Sequence, residues 1–556
     1  MATLLYCALS WSQWLRWDVP SWDNAIFTQL LSSYAAGDGP TVDLKGHGFN
    51  LLGDHFHPLL VVLAPVYRIF PSALTPMLAQ DVLFGISAAL VTRGALRVLH
   101  LAPAAALGVA YALSFGLQQA VAVQFHEIAL AVPLLAAGLC ALRERRWVAA
   151  ALWSAPVALV KEDLGITVAA IGALMLAHAA RPALSRWLPA ARRRWVALGV
   201  QPSPSRGAAP PGAAGRRPPW EVARAAEPDR AASSAKAPPS QDGRAGGWTA
   251  EEGRSDGWTT GRRRSLVCGL ALVVWGVAAT VLAVTVVLPA LNPAGTFAYA
   301  DKLDVTGLLR DPASAVILQV VPPQKLVTWL MLLLAGAVVA VRSPLALVAV
   351  PTLAWRMLSP NEGYWGPGWH YSAVLMPVVF VALVDAVARL RADAARVFRH
   401  EERGQRPRRN VAVRESTVLW VLSTAAPWVA LTVALAVGTQ QPLAQLGGAA
   451  AWQPDPRAQA KTAAVAEIPR DASVGTDLSL MNRLVSRTRV HWIGNGGDPA
   501  PQYVVVDRED GTWGGAPPQD VAGYAQQVYG EQYAVVSDEQ NIVVARVRPV
   551  AERPVR

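Results

Sequence analysis

The sequence predicts a polytopic α-helical membrane protein that carries a small α/β domain at its C-terminal end. Three observations predict this. Of 556 residues, 53% are hydrophobic and 16% charged, with a mean hydropathy of +0.28, a balance that points to an integral membrane protein with soluble portions. Apolar segments recur about eleven times before residue 440, after which short strand-like and helical stretches alternate. Lys and Arg collect in alternate connections between the apolar segments, as the positive-inside rule requires.

Taken in order, residues 2–16 (ATLLYCALSWSQWLR) are apolar but fall short of the roughly 20 residues a spanning helix needs. They lack the basic region and small-residue cleavage site of a signal peptide, so the chain is expected to begin inside its first helix. Residues 17–58 then form a polar loop that holds Asp18, Asp23, Asp38, Asp43, Asp54, His47, His55 and His57 among Gly, Asn and Pro, which mark a shaped loop rather than a span. Residues 57–70 (HPLLVVLAPVYRIF) suit a juxtamembrane helix lying in the interface. Further spans are expected at about 74–98, 103–122, 127–142, 147–160, 164–180, 265–288, 325–341, 344–358, 371–388 and 416–438.

Orientation follows from the basic connections. Arg93 and Arg97, then Arg143, Arg145 and Arg146, then Arg342, and finally nine Arg between Arg389 and Arg414 are placed in the cytoplasm. The alternation then closes without a missing span. It puts the first loop, 124–127, 161–163, 289–324, 359–370 and everything after 439 outside, as in a multi-pass protein of a bacterial inner membrane.

Residues 181–264 interrupt the pattern with a Pro, Ala, Gly, Ser and Arg-rich stretch holding sixteen Lys and Arg against seven Asp and Glu. With few aliphatics it has no means to bury a core, and it is expected to be a disordered, basic cytoplasmic insert. The domain plan is therefore 1–180 and 265–439 as transmembrane modules, 181–264 as the insert, and 440–556 as an extracytoplasmic α/β domain. In the last, ASVGTD, RVHWIG, QYVVVD, YAVVSD and NIVVARV read as strands, with LSLMNRLVS and PQDVAGYAQQVYG as helices between them.

Several function classes recede. The three Cys (Cys7, Cys140, Cys268) all lie in apolar segments, so there is no disulfide framework and no CxxC metal site. The net charge of +11 lies mostly between or beside spans, where orientation explains it better than nucleic acid does. No Gly-rich phosphate loop follows any C-terminal strand.

On this topology the unusual polar clusters share one face: Asp23, Asp54-His55-Phe56-His57, Phe125-His126-Glu127, Lys161-Glu162-Asp163, and Glu362 with Trp369-His370-Tyr371. Charges at span ends are costly unless they face water, pair or line a cavity, and their convergence predicts a shared aqueous cleft. Taken singly, any of these clusters also reads as a simple helix end.

The segments WDNAIFTQ, FNLLGDHFHPLLVVLAPVYRIFPS, QFHEIALAVPLLA and LVKEDLGITVAAIG, in this order, resemble the bacterial membrane-protein family catalogued as domain of unknown function 2079. The resemblance continues through the WHY segment, ASVGTDLSLMNRLVSR and QYVVVD. That family in turn resembles the type C glycosyltransferases, polytopic enzymes that take sugars from polyprenyl-phosphate carriers on the outer face. The resemblance implies a GT-C-like fold and a catalytic acid in the first outer loop, the place held here by Asp23. The chain departs from the pattern at His57, at Glu127 and at Asn24, which stands where a second acid would follow Asp23.

In that chemistry Asp23 would accept the acceptor's proton; alternatively it caps the helix that follows. Lys161 and His126 would answer the charge on the leaving phosphate, although Lys161 also reads as pairing with Glu162 or Asp163. Asp54, His55, Glu127, Glu162, Asp163, His370 and Tyr371 are the candidate substrate-binding residues. Asp54, His55 and His57 form a DHxH arrangement that would supply N and O ligands to a divalent ion. Tyr364, Trp365 and Trp369 read as sugar-stacking rings or as an interfacial belt. Two other classes stay open. A transporter or flippase would need ionisable residues within spans, of which Asp81 and Asp385 are the examples, and an envelope assembly protein would act through the C-terminal domain.

Overall fold

A computed structural model describes residues 1–196, 252–299, 310–311, 322–402, 409–509 and 516–548. The chain divides into two units, Met1–Ala177 with Arg264–Arg556, and His178–Arg263. The helices Leu164–Val196 and Glu252–Leu282 enter the expected insert from either side. The rest of that insert, 197–251, lies outside the described residues, as does most of the expected outer loop at 289–324.

Ala, Leu and Val dominate the larger unit, and they fold as helices because the bilayer offers backbone groups no other partner. Among the described residues four helices are long and apolar enough to cross a membrane: Leu74–Leu96, Leu101–Ala122, Thr260–Leu291 and Arg414–Gly438. The expected spans 164–180 and 371–388 lie in the long helices Leu164–Val196 and Leu375–Glu402, and the remaining ones take shorter or broken forms. Even the second of the four breaks at Ser114, whose extended backbone separates Leu101–Ala112 from Phe115–Ala122. The expected span 325–341 stops at Ala335 because Ala337 and Val338 turn left-handed (φ 48° and 59°). The segment 344–358 starts as a 3₁₀ turn at Pro344 before becoming α-helical at Val350.

Residues 58–69 are a 3₁₀ turn followed by the short helix Ala64–Ile69. Val61, Val62, Val66, Ile69 and Phe70 on this segment are exposed, the surface an interfacial helix presents. At the centre, Leu375–Glu402 buries Val378, Phe380, Val381 and Leu383 against Arg409–Gly438, Ala131–Arg143 and Leu74–Leu96.

The helix starting at Leu164 meets the one ending at Leu282 through glycines. A Cβ on Gly276 would stand 2.2 Å from the carbonyl oxygen of Gly165, and one on Gly172 would stand 2.6 Å from that of Gly269. Only hydrogen at those positions permits this approach.

The C-terminal part forms a five-stranded sheet in the order β2-β1-β3-β5-β4, with β1 Ser473–Thr476, β2 Arg489–Trp492, β3 Tyr503–Asp507, β4 Tyr533–Glu539 and β5 Ile542–Val547. The first three are parallel, while β5 runs antiparallel to β3 and β4. All five lie where the alternation predicted them, as do the helices Leu478–Leu484 and Val521–Tyr529. The tight β4–β5 link puts both Gln540 and Asn541 at positive φ (48° and 62°), the two-residue turn that matches strand twist.

This sheet packs on the first polar loop. Trp22 meets Trp492 edge to face at 5.8 Å, Gln29 Nε2 donates to the Val490 carbonyl at 3.1 Å, and Asn24 Nδ2 donates to Asn482 Oδ1 at 3.1 Å.

Candidate functional site

Asp23 is the first residue of the helix Asp23–Ala36, and the capping position before it is held by Trp22. The capping alternative therefore fails, and the carboxylate instead faces His126, with Oδ2 3.5 Å from Nε2. Asp23 keeps a third of its side chain exposed while His126 keeps 3%, so the pair has a wet side and a dry side. Burial raises the Asp23 pKa, but the neighbouring His126 outweighs it and holds the carboxyl well below its usual range.

The His126 ring stacks on His370, with centroids 3.8 Å apart and planes 27° from parallel. Both histidines are delivered by strained backbone. Gln124, two residues before His126, has φ 67°, and Trp369, next to His370, has φ 60°. Non-glycine residues adopt such angles only where their surroundings impose them, commonly at functional sites.

Those surroundings are explicit at Gln124. Its side chain donates to the Asp18 carbonyl at 2.7 Å and accepts from Asn482 Nδ2 at 2.9 Å. Its carbonyl accepts from Gln80 Nε2 at 3.0 Å and lies 3.2 Å from His126 Nδ1. Burial, followed by the like charges of His126 and Lys161, pushes the His370 pKa well below its ordinary value, so this imidazole stays neutral.

Next to this stack lies an ionic row. Lys161 Nζ meets Glu127 Oε1 at 2.6 Å, not Glu162 or Asp163 as its sequence neighbours led one to expect. Burial disfavours the Lys161 ammonium, but Glu127, Glu162 and Asp163 together raise its pKa well above the ordinary lysine value. Glu162 accepts from His55 Nδ1 at 2.8 Å and from the Phe56 amide at 3.0 Å. Against the pull of burial, the His55 charge and hydrogen bond bring Glu162 down to about 2. The same attraction raises His55 above its usual value. Asp163 accepts from Trp355 Nε1 at 2.8 Å and is pushed up to about 6, chiefly by burial. The structure thus brings Asp23, His126, Glu127, Lys161, Glu162, His55, His370 and Tyr371 into one contiguous group.

The DHxH metal reading is not met. Asp54 pairs with Lys45 Nζ at 3.2 Å, His55 is held by Glu162 and stacked on Tyr299 (centroids 4.6 Å), and His57 is buried against Phe27 (5.7 Å). Asp54 and His55 also share Tyr299, whose hydroxyl donates to Asp54 Oδ1 at 3.3 Å. Among the described residues no group of three or more His, Cys, Asp or Glu is arranged to hold a metal ion. Burial lowers the His57 pKa to about 4, so it sits in the core as a neutral ring. Of the aromatic candidates, Tyr364 and Tyr371 pack edge to face at 5.0 Å, Trp365 carries Lys325 over its ring at 4.2 Å, and Trp369 is exposed.

Two residues escaped the sequence reading. Phe27 places its ring edge to face with His57, Phe125 and His126 at 5.7, 5.6 and 6.4 Å. Its place in an ordinary apolar run, AIFTQLL, gives no signal of that role. Arg356 is fully buried and donates to the carbonyls of Tyr364 (3.0 Å) and Gly366 (2.9 Å) and to Ser372 Oγ (3.2 Å), with its guanidinium 5.7 Å from the Tyr371 ring. It makes no ion pair among the described residues. An arginine inside an apolar stretch, LAWRML, was the available signal.

No curated protein matches the chain. It is similar to the crystal structure of ArnT from Cupriavidus metallidurans bound to undecaprenyl phosphate, at 12% identity and a TM-score of 0.49, over 99% of this chain and 98% of that one. The family model described as "Predicted membrane protein (DUF2079)" matches residues 18–544, and with nearly the whole length so covered, the chain belongs to the DUF2079 family of membrane proteins.

Proposed function

We propose that the protein transfers a sugar from a polyprenyl-phosphate donor to a cell-envelope acceptor on the outer face of the bacterial inner membrane, with Asp23 as base. The observation that carries this reading is the half-open Asp23 carboxylate, backed by His126 and His370 and next to a buried row of charges at the span ends.

Asp23 accepts the proton of the acceptor hydroxyl as its oxygen bonds to the anomeric carbon. The bond from that carbon to the phosphate oxygen breaks, and polyprenyl phosphate leaves with the electron pair. A held-down pKa keeps Asp23 ionised, and His126 fixes its direction. General-base assistance of this kind contributes roughly 10²- to 10⁴-fold.

Lys161 is paired with Glu127, whereas among the described residues no carboxylate pairs with Arg356, so the buried Arg356 charge favours the phosphate through its field rather than by contact. The exposed apolar surface of 61–70 suits the polyprenyl chain or the bilayer beside it.

The test is transfer of radiolabelled sugar from a panel of polyprenyl-phosphate sugars to envelope extract, comparing purified wild type with Asp23→Asn in lipid. Wild-type transfer that falls at least about a hundredfold in a folded variant supports both class and base. Transfer that survives the change keeps the class and discards Asp23, and no transfer from any donor removes the class.

A transporter is the second reading, and Asp81 favours it. This carboxylate is fully buried within the apolar helix Leu74–Leu96, the position at which membrane carriers keep coupling groups.

A further inference from the structure

The C-terminal sheet has two ends, and only one is engaged. Parallel strands usually bind ligands beyond their carboxyl ends, but those ends are filled here. Asp477, after β1, accepts from the Ser479 amide at 2.8 Å and the Asp507 amide at 2.7 Å. Trp492 closes β2 against Trp22 of the first loop. Asp507 closes β3 and is paired with Arg457 at 2.5 Å.

The opposite end is open. There Arg470, Asp471, Arg489, Gln502, Tyr503 and Arg546 line one cleft. Sheet register explains the convergence: Ser473 pairs with Arg489 across β1 and β2, and Tyr503 pairs with Arg546 across β3 and β5, all at the same end. All three arginines are exposed, and none has an ion-pair partner among the described residues. Asp471 is the single carboxylate in the lining. Gln502 is fixed by reciprocal bonds with Ser473, its backbone N–H donating to Oγ at 3.0 Å and its Oε1 accepting from the Ser473 backbone N–H at 3.3 Å. A half-buried Tyr503 supplies an aromatic wall.

Three arginines against a single carboxylate leave an excess of like charge, and an anion relieves that repulsion. Guanidinium forks match carboxylate and phosphate oxygens, and a tyrosine beside them suits the apolar face of a sugar ring.

We propose that this cleft binds an anionic saccharide, a sugar unit bearing a carboxylate or phosphate, and so tethers the acceptor polymer at the end of the sheet away from the first loop. The tethering role rests on the glycosyltransferase reading above. The binding itself does not.

The experiment measures binding of a short oligogalacturonate to the full chain in nanodiscs by calorimetry, with a neutral malto-oligosaccharide and inorganic phosphate as comparisons. Arg489→Gln/Arg546→Gln and Arg470→Gln are tested alongside, with melting temperature confirming that each is folded. The expected result is saturable oligogalacturonate binding that weakens with salt, at least about tenfold weaker binding in the double variant, and little binding of the neutral sugar. Absence of oligogalacturonate binding would overturn the proposal, as would equal affinity in the folded double variant. Equal affinity for the neutral sugar, or inorganic phosphate binding as tightly as the oligomer, would overturn the saccharide assignment. Binding that holds while every donor fails in the transfer assay would leave the cleft in place and remove only its link to glycosyl transfer.

Discussion

His126 and His370 lie ring on ring, 3.8 Å between centroids, although 244 residues separate them in the chain. One faces Asp23 and the other stays neutral in the core, so the stack joins the half-open carboxylate to the buried interior.

Acid should weaken the fold through its neutral histidines. His57, brought down to about 4, and His370, brought well below its ordinary value, are uncharged in the folded chain, whereas unfolded histidine takes up a proton below about 6.5. Their contribution is therefore present above 6.5 and is lost as pH falls toward the folded values. The melting temperature of wild type should fall between pH 6.5 and about 4, and His57→Phe should fall less over that window. An equal slope in the two proteins would show that His57 does not titrate as described.

The His55–Glu162 pair should have a pH window of its own. Glu162, lowered from 4.5 to about 2, stabilises the fold above 4.5 and loses that contribution as pH falls toward 2. His55 is raised above 6.5, so its contribution is full below 6.5 and fades as pH rises through its folded value. A double-mutant cycle with His55→Gln and Glu162→Gln should give its largest coupling between these limits and a smaller one in alkali. A coupling that is flat with pH would mean that the contact is not ionic.

Glu127 and Lys161 should tolerate joint removal better than single removal. Taking away one member leaves the other charge buried and unpaired, which costs about 3–5 kcal/mol, while replacing both with apolar groups is often near neutral. Thermal unfolding in detergent should rank Glu127→Gln and Lys161→Met well below Glu127→Leu/Lys161→Met. Additive losses would contradict the pairing.

The glycine contact sets a steric test. Gly276→Val places a side chain where even a Cβ would stand 2.2 Å from the Gly165 carbonyl oxygen, so the two helices must separate. The loss should resemble severe overpacking, about 3 kcal/mol or more. Gly438→Ala, which has open space around its Cβ, should cost under about 1 kcal/mol as a control. Hydrogen exchange along 164–177 would report the separation directly.

Periodicity and charge made some of this protein legible in advance. The apolar runs, the polar loop at 17–58 and all five C-terminal strands could be placed from the chain, because hydrophobic pattern is local and burial acts on it directly. The polar clusters could be named, because charges near the ends of apolar segments stand out. Tertiary structure decided how they pair. Lys161 chose Glu127 over its own neighbours, His55 took Glu162 rather than a metal, and Asp23 turned from capping its helix to His126. Those choices depend on where separate helices end relative to one another, and no local pattern encodes that distance. Helix breaks at Ser114 and Val338 came from packing and backbone strain, and the roles of Phe27 and Arg356 from the neighbours that the fold gave them.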